Sequence, residues 1–337
     1  MKAVVLVGGE GTRLRPLTET IPKPLLPLVD RPFLHQVLDH LGAHGVHEVV
    51  LSSPYLEGTF EAFLAERRGD PGVTWITESE PLGTGGAIVN ALTYLDDDAF
   101  LVLNGDILTD LDLTALVAFH HERDAAGTIA LTPVDDARPY GLVATEPDGR
   151  VLEFREKPAE LVPGRINAGT YVLEPRALRG WEPGRTISIE REIFPALIER
   201  GELLYASVSD AYWMDLGTPE RYLQAHFDVL DGRLRGRKFP APFVAEDALV
   251  AAGAELDAHT VVGHMARVGE SAVVSRSVLH AGATLGEGAR VDGSILGAGS
   301  AVGKGAVVTA SVLAEDARIR KGADVRGARV GPGATAG

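Results

Sequence analysis

The chain has 337 residues, which suits two domains rather than one core. Its formal net charge of −15 argues against nucleic acid or an anionic membrane as partner, since both select basic surfaces. There is no cysteine, which excludes disulfides, thiolate metal sites and cysteine nucleophiles, while 45% hydrophobic and 23% charged residues are ordinary for a globular protein.

The opening run Met1-Lys2-Ala3-Val4-Val5-Leu6-Val7 is too short for a signal-peptide core and no small-residue cleavage site follows it. No stretch approaches the length of a membrane span, so a cytoplasmic protein is expected. Residues 3–7, 48–52, 73–77 and 99–103 are short β-rich runs. Between them, Pro32 to Leu41 places Phe33, Leu34, Val37, Leu38 and Leu41 on one helical face, with Pro32 suited to the first turn. Residues 112–120 and 190–200 read as further helices. Strands alternating with helices predict a Rossmann-like, mostly parallel sheet covered on both faces, with ligands beyond the carboxyl ends of the strands. The segment 128–173 has several short strand-like runs and reads as an insertion that builds the second half of the pocket.

From about Phe239 the pattern changes. Val244, Val250, Leu256, Val262, Val268 and Val274 recur every six residues, and the series continues as Leu279, Leu285, Val291, then Leu296, Val302, Val308, then Leu313, Ile319, Val325. Ser277-Val278-Leu279, Ser294-Ile295-Leu296 and Ser311-Val312-Leu313 repeat at 17 residues. Small residues fill the corners, and a helix would not tolerate so many glycines. A six-residue period fits a three-sided parallel β-helix of hexapeptide repeats. The expected division is residues 1–236 for a catalytic domain and 237–337 for a left-handed β-helix.

Chemistry-bearing residues begin directly after the first strand. In Gly8-Gly9-Glu10-Gly11-Thr12-Arg13-Leu14-Arg15, the glycines let backbone N–H groups approach phosphates, and Arg13 and Arg15 offer planar forks of donors. The pattern is neither a Walker loop nor the dinucleotide fingerprint, and a plain tight turn would also account for it. In Ile21-Pro22-Lys23-Pro24-Leu25, two prolines brace Lys23 and present one cation in a defined direction. Asp106, in Asn104-Gly105-Asp106, follows a strand at its carboxyl end, where an acid suits a pocket metal better than a core. Asp215, in Trp213-Met214-Asp215-Leu216-Gly217-Thr218-Pro219, suits a metal or a helix cap. None of His35, His40, His44, His47, His120 and His121 has a spacing that suggests zinc, and they read as surface or packing residues.

Together with Glu80-Pro81-Leu82-Gly83-Thr84-Gly85, Phe154-Arg155-Glu156-Lys157-Pro158 and Asn167-Ala168-Gly169, these motifs resemble, in order and over essentially the whole chain, the nucleotidylyltransferases that make NDP-sugars. Ser188-Ile189-Glu190-Arg191-Glu192-Ile193-Phe194-Pro195 is similar to the mannose-1-phosphate guanylyltransferase branch. The resemblance implies transfer of a nucleotidyl group, GMP from GTP in that branch, to a sugar 1-phosphate, with release of pyrophosphate. It implies catalytic roles for Arg13 and Lys23, and nucleotide contacts from Leu6, Gly8, Gly9, Gly11, Thr12, Glu78, Gly83 and Thr84. Asn104, Tyr140, Gly141, Glu156, Lys157 and Asn167 are implied in sugar-phosphate binding, and Asp106 and Asp215 in holding Mg²⁺. In uridine- and thymidine-using relatives a Gln commonly stands where this chain has Glu78. An ionised carboxylate only accepts hydrogen bonds, which suits the adjacent N1–H and 2-amino donors of guanine and disfavours uracil and thymine. Glucose 1-phosphate or a cyclitol phosphate, with GTP, dTTP or UTP, would use the same chemistry. A catalytically silent regulator would be expected to lose Arg13, Lys23, Asp106, Lys157 or Asp215, and all are present. An acyltransferase would rest on His259, His264 or His280, none with an evident partner. The β-helix is expected to join copies of the chain into a homo-oligomer, with neither nucleic acid nor membrane as a partner.

Overall fold

The protein is described from a computed structural model that covers residues 1–53, 57–67, 69–156 and 162–337. The chain divides into two compact units. One comprises Met1–Gly9 and Leu34–Trp213; the other comprises Glu10–Phe33 and Met214–Gly337.

The first unit is built on a nine-stranded mixed sheet. Strand Lys2–Leu6 lies in its middle and pairs in parallel with Glu48–Ser53 on one side and Phe100–Asn104 on the other; Gly72–Thr77 extends the parallel half beyond Glu48–Ser53. Ala3, Val4 and Val5 have no solvent exposure, as expected for a parallel strand covered on both faces. All four β-rich runs of the sequence are strands here. The parallel pattern is interrupted at Phe100–Asn104 and returns where Leu204–Val208 runs parallel to Gly127–Val134. The next neighbour of Phe100–Asn104, Gly164–Leu173, is antiparallel to it and also to Gly127–Val134, and Gly141–Thr145 and Val151–Glu156 form an antiparallel hairpin at that end. The segment 128–173 therefore makes the sheet mixed rather than mostly parallel, because its short Pro- and Gly-punctuated connections cannot make the long crossovers that parallel pairing needs.

Helix Phe33–Ala43 buries all five residues of its predicted face. Leu113–Glu122 starts at Asp112, whose carboxylate accepts from the Ala115 N–H at 2.9 Å. The predicted helix at 190–200 is a π-turn, Ile189–Ile193, running into Phe194–Glu199. Of the histidines, His120 is buried and bonded to Thr128, while burial holds His40 down at about 4. No described helix is long and apolar enough to cross a membrane.

In the second unit, three parallel sheets of six, six and five two- or three-residue strands stack coil on coil, consistent with a left-handed β-helix. The first coil pairs at 18 residues (Val244 with Val262) and later coils at 17 (Val262 with Leu279, Leu279 with Leu296, Leu296 with Leu313). Every hexad residue from Val262 onward is buried in one interior column, with alanines such as Ala266, Ala283 and Ala306 at the corners. Coils approach so closely at the turns that a Cβ on Gly303 would lie 2.5 Å from the Lys321 nitrogen. The repeated serines have a separate task. Ser277 Oγ accepts from the Ser294 N–H, Ser294 Oγ from the Ser311 N–H, and Ser311 Oγ from the Ala328 N–H, each at 3.0 Å. Each hydroxyl also donates to a carbonyl two residues earlier in its own chain.

Ser294→Ala leaves the buried Ser311 N–H without its acceptor. It is expected to lower stability by about 1–3 kcal/mol, read as a reduced urea midpoint at unchanged slope. An unchanged midpoint would mean the ladder is not a stabilising element.

Candidate functional site

In the first unit, the carboxyl ends of the parallel strands bring Leu6 level with Ser52 and with Asn104. Beyond them lies a cavity of about 280 Å³ lined by Leu6, Gly8, Gly9, Ser52, Glu78, Pro81, Gly83, Thr84, Ala87, Asn104 and Asp106. Eight of the sequence-predicted residues share this wall. The strand ends meet closely because Gly105 has no side chain: a Cβ there would lie 2.7 Å from Val7 Cγ1 and 2.8 Å from the Leu6 carbonyl, to which its own N–H donates.

Glu78 is only 8% exposed, and both carboxylate oxygens are engaged. Ser52 Oγ donates to Oε1 at 2.6 Å and the Leu82 N–H donates to Oε2 at 3.0 Å. A carboxylate loses hydration on burial and needs such donors, and here they also fix its orientation on the cavity wall. Each oxygen keeps a second lone pair for a ligand. Ser52 was not among the residues expected from sequence. Its position at a strand's carboxyl end was the available signal, but a serine closing an apolar strand is too common to single out.

The glycines that open helix Gly83–Ala91 serve packing. Gly85 and Gly86 N–H both donate to the Ile187 carbonyl, and a Cβ on Gly86 would lie 2.2 Å from the Arg185 carbonyl oxygen. Gly83 has φ +69°, and a Cβ there would meet the Ile187 carbonyl oxygen at 2.7 Å. Thr84 Oγ1 donates to Glu190 Oε2 at 2.7 Å and accepts from the Ile189 N–H at 3.0 Å, while Ser188 Oγ donates to the same Glu190 oxygen at 2.9 Å. The Ser-Ile-Glu motif thus anchors the Thr84 corner of the cavity. Glu190 escaped the sequence reading because its partner stands 106 residues away.

A second group of predicted residues gathers beside Asn104. Gly169 packs on it, with a Cβ there 2.7 Å from Asn104 Nδ2. The Gly169 N–H donates to Asn167 Oδ1, Asn167 Nδ2 donates to the Tyr171 hydroxyl, and Trp213 Nε1 donates to the Ala168 carbonyl. The Tyr140 ring stands edge-on to Trp213 at 5.2 Å, and Gly141 pairs with Glu156 in the hairpin. Asn104, on the cavity wall, has its Oδ1 buried with no hydrogen-bond partner among the described residues, which leaves an acceptor there to be satisfied. Lys157 and the side chain of Glu156 lie outside the described residues.

The second unit carries the remaining predicted residues. Gly11 (φ +60°) opens a short turn, Thr12–Leu14, and its carbonyl accepts from Thr18 Oγ1. Lys23 is 8% exposed despite its charge, with Nζ 3.5 Å from Asp215 Oδ1. Arg13 and Arg221 each place a guanidinium nitrogen 3.8 Å from Asp215 Oδ2. A Cβ on Gly217 would fall 2.7 Å from Arg13 Nη2 and 2.9 Å from Asp215 Oδ2, so a larger residue there would push these two side-chain ends aside. The helix Pro219–Leu230 is capped by Thr218, whose hydroxyl accepts from the Arg221 N–H, which removes the capping reading of Asp215. Arg221 is a third cation that sequence reasoning missed.

Among the described residues no cluster of three or more His, Asp or Glu side chains is placed to hold a metal. A hard divalent cation that keeps waters and phosphate oxygens needs only one or two carboxylates. Asp215 Oδ1, buried and accepting no hydrogen bond, and Asp106, on the cavity wall, supply donors of that kind.

Residues 2–232 match the nucleotidyl transferase family, and residues 239–335 match a domain described as the GMPPB C-terminal domain. A mannose-1-phosphate guanylyltransferase of Mycobacterium tuberculosis is 40% identical over 287 residues, covering 83% of this chain and 80% of that one. The catalytic subunit beta of mannose-1-phosphate guanylyltransferase from Danio rerio is 41% identical over 66% of this chain and 63% of its own length. The crystal structure of HddC from Yersinia pseudotuberculosis, 32% identical, superposes with a TM-score of 0.60 over 67% of this chain and 98% of that one. Nucleotidyltransferases of this family typically use a divalent metal. With its glycine loop, braced lysine and strand-end cavity, the chain belongs to the nucleotidyl transferase family.

Proposed function

We propose that this enzyme transfers GMP from GTP to mannose 1-phosphate, forming GDP-mannose and pyrophosphate. The observation that carries the choice of base is Glu78: a buried carboxylate, oriented by two donors, on the wall of the strand-end cavity. Its remaining lone pairs suit the paired N1–H and 2-amino donors of guanine. The relatives named for mannose 1-phosphate and guanylyl transfer support the same pair of substrates, and the HddC structure described as complexed with GMP-PN supports the nucleotide half of it.

In the reaction an oxygen of the sugar phosphate attacks the α-phosphorus of the nucleotide, the bond to the bridging oxygen breaks, and pyrophosphate leaves. The nucleophile is ionised at neutral pH, so the residues need not remove a proton. Their work is to position the reactants and neutralise charge on the transferring group. We assign Arg13 and the glycine loop to the departing pyrophosphate, Lys23 to the α-phosphate, and Lys157 to the attacking phosphate. Asn104, Tyr140, Gly141, Glu156 and Asn167 are assigned to the sugar. Asp106 and Asp215 would hold Mg²⁺, which when bound supplies positive charge against the phosphate oxygens. The first β-helix coil supports a homo-oligomer: its strands end their sheets, and Val244, Leu249 and Val250 are exposed there.

Wild type should use GTP best and inosine triphosphate less well, because inosine lacks the 2-amino donor; a charged hydrogen bond is worth about 1.5–3 kcal/mol. Glu78→Gln should weaken GTP use and relax discrimination against UTP and dTTP. Specificity constants at saturating sugar phosphate decide this, and a wild-type preference for UTP or dTTP would overturn the guanine reading. Asp106→Asn is expected to lower kcat by about 10²–10³ with an unchanged circular dichroism spectrum; near-normal turnover at saturating Mg²⁺ would remove Asp106 from the site. Leu249→Glu should lower the solution mass by light scattering, and an unchanged mass would argue against assembly through the first coil.

A further inference from the structure

One face of the β-helix differs from the other two. Strands Val278–Leu279, Ile295–Leu296, Val312–Leu313 and Arg329–Val330 pair in register, so Val278, Ile295, Val312 and Arg329 form one outward column. On a second face the equivalent outward column reads Arg267, Thr284, Ala301, Arg318 and Thr335, which is mostly polar. Val278, Ile295 and Val312 are nevertheless buried, and Ile295 and Val312 share a cluster with Leu14, Leu17, Leu26 and Tyr222. The turn that carries Arg13 therefore rests on this face.

The column ends in a cation. Arg329 donates from one guanidinium nitrogen to the Arg15 carbonyl at 2.9 Å and the Arg13 carbonyl at 3.3 Å. The turn closes through Leu14 N–H to the Gly11 carbonyl and Arg15 N–H to the Thr12 carbonyl, which uses neither of those oxygens. Pro16 follows, so the chain cannot continue as a helix and supply them with N–H donors. Leu14, fully buried between the two carbonyls, fixes the depth of the turn, and Arg329 fixes its rotation. The Arg13 side chain leaves the same turn towards Asp215.

We propose that Arg329 is a positioning residue for nucleotidyl transfer: the last β-helix coils hold the backbone from which Arg13 reaches the nucleotide phosphates. The proposal rests on the assignment of Arg13 to pyrophosphate. By reciprocity, a triphosphate that engages Arg13 also tightens the coil that bears Arg329.

The test uses the full chain with Arg329→Gln and Arg329→Lys. Because charge-assisted hydrogen bonds are the strong ones, Arg329→Gln should lower kcat/KM for the triphosphate by about tenfold while the KM for sugar phosphate stays within about twofold of wild type. Arg329→Lys, which keeps the charge and can reach one carbonyl, should recover part of the loss. Amide exchange of Leu313 and Val330 should slow when triphosphate is added to wild type and respond less in Arg329→Gln. A purely structural role would lower both substrates' constants together and leave the nucleotide-dependent protection intact; that result, or kcat/KM unchanged in both variants, would overturn the proposal. If Arg329→Gln fails to fold, the same two readouts on Arg329→Lys decide it. The comparison is a ratio to wild type with whichever triphosphate wild type turns over best, so failure of the guanine assignment and failure of this one are separate results.

Discussion

The segment Glu10–Phe33 cannot satisfy its own backbone. It holds Pro16, Pro22, Pro24, Pro27 and Pro32, makes only single 3₁₀ turns and one two-residue ladder, and so must find partners elsewhere. Those partners come from the C-terminal half of the chain. The Tyr222 hydroxyl donates to the Pro27 carbonyl and meets His280 Nε2 at 3.1 Å; the Val29 N–H donates to His226 Nδ1; Arg237 pairs with Asp30; Arg329 takes the carbonyls of Arg13 and Arg15. Burial holds His226 down at about 3 and His280 at about 4, and raises the Tyr222 phenol. A neutral imidazole is what His226 needs in order to accept a hydrogen bond through Nδ1. The braced cations of this segment keep their directions because this polar network, with the Leu14 cluster beside it, leaves the backbone one conformation.

Glycine does two jobs in this chain, and the difference matters for mechanism. In the first unit, Gly105 and Gly169 are places where the Leu6 strand and Asn104 pass too close for a Cβ; in the second, a Cβ on Gly217 would meet the side-chain ends of Arg13 and Asp215. Gly85 and Gly86 instead admit the backbone of residues 185–187, and their N–H groups serve Ile187. A phosphate-cradle reading of every glycine would misplace the donors. Lys23, Arg13 and Arg221, each with a nitrogen 3.5–3.8 Å from an Asp215 oxygen, are the cations to which the proposed reaction assigns anion binding.

Much of this was legible in sequence because the constraints are local. One interior residue per six is a pattern that only a three-sided coil explains, and the Ser-apolar-Leu repeat marked the 17-residue coil; its serine ladder and the covered face of its middle residues, Val278, Ile295 and Val312, came only with the structure. The bracing of Lys23 by two prolines announced a lysine that is not a surface lysine, and it is buried. A strand end located Asp106, and the resemblance located Glu78. What stayed hidden is long-range and backbone-directed. No residue type near Arg13 advertises that its carbonyl will be held from Arg329, and nothing in Thr84 names Glu190. The antiparallel half of the sheet was also hidden, since its runs look like any short strands and pairing direction is set by connection length rather than composition. Where the hexapeptide pattern begins is plain; that Glu10–Phe33 groups with it is not.

The contact from Arg329 to the turn at Arg13 spans 316 residues, nearly the whole chain. During synthesis the turn at Arg13 therefore emerges long before the coil that clasps it. Contacts of such long sequence separation form late, because the loop they close is costly to order. A chain halted before Arg329 would carry every residue of the glycine loop and still lack the clasp that holds its turn.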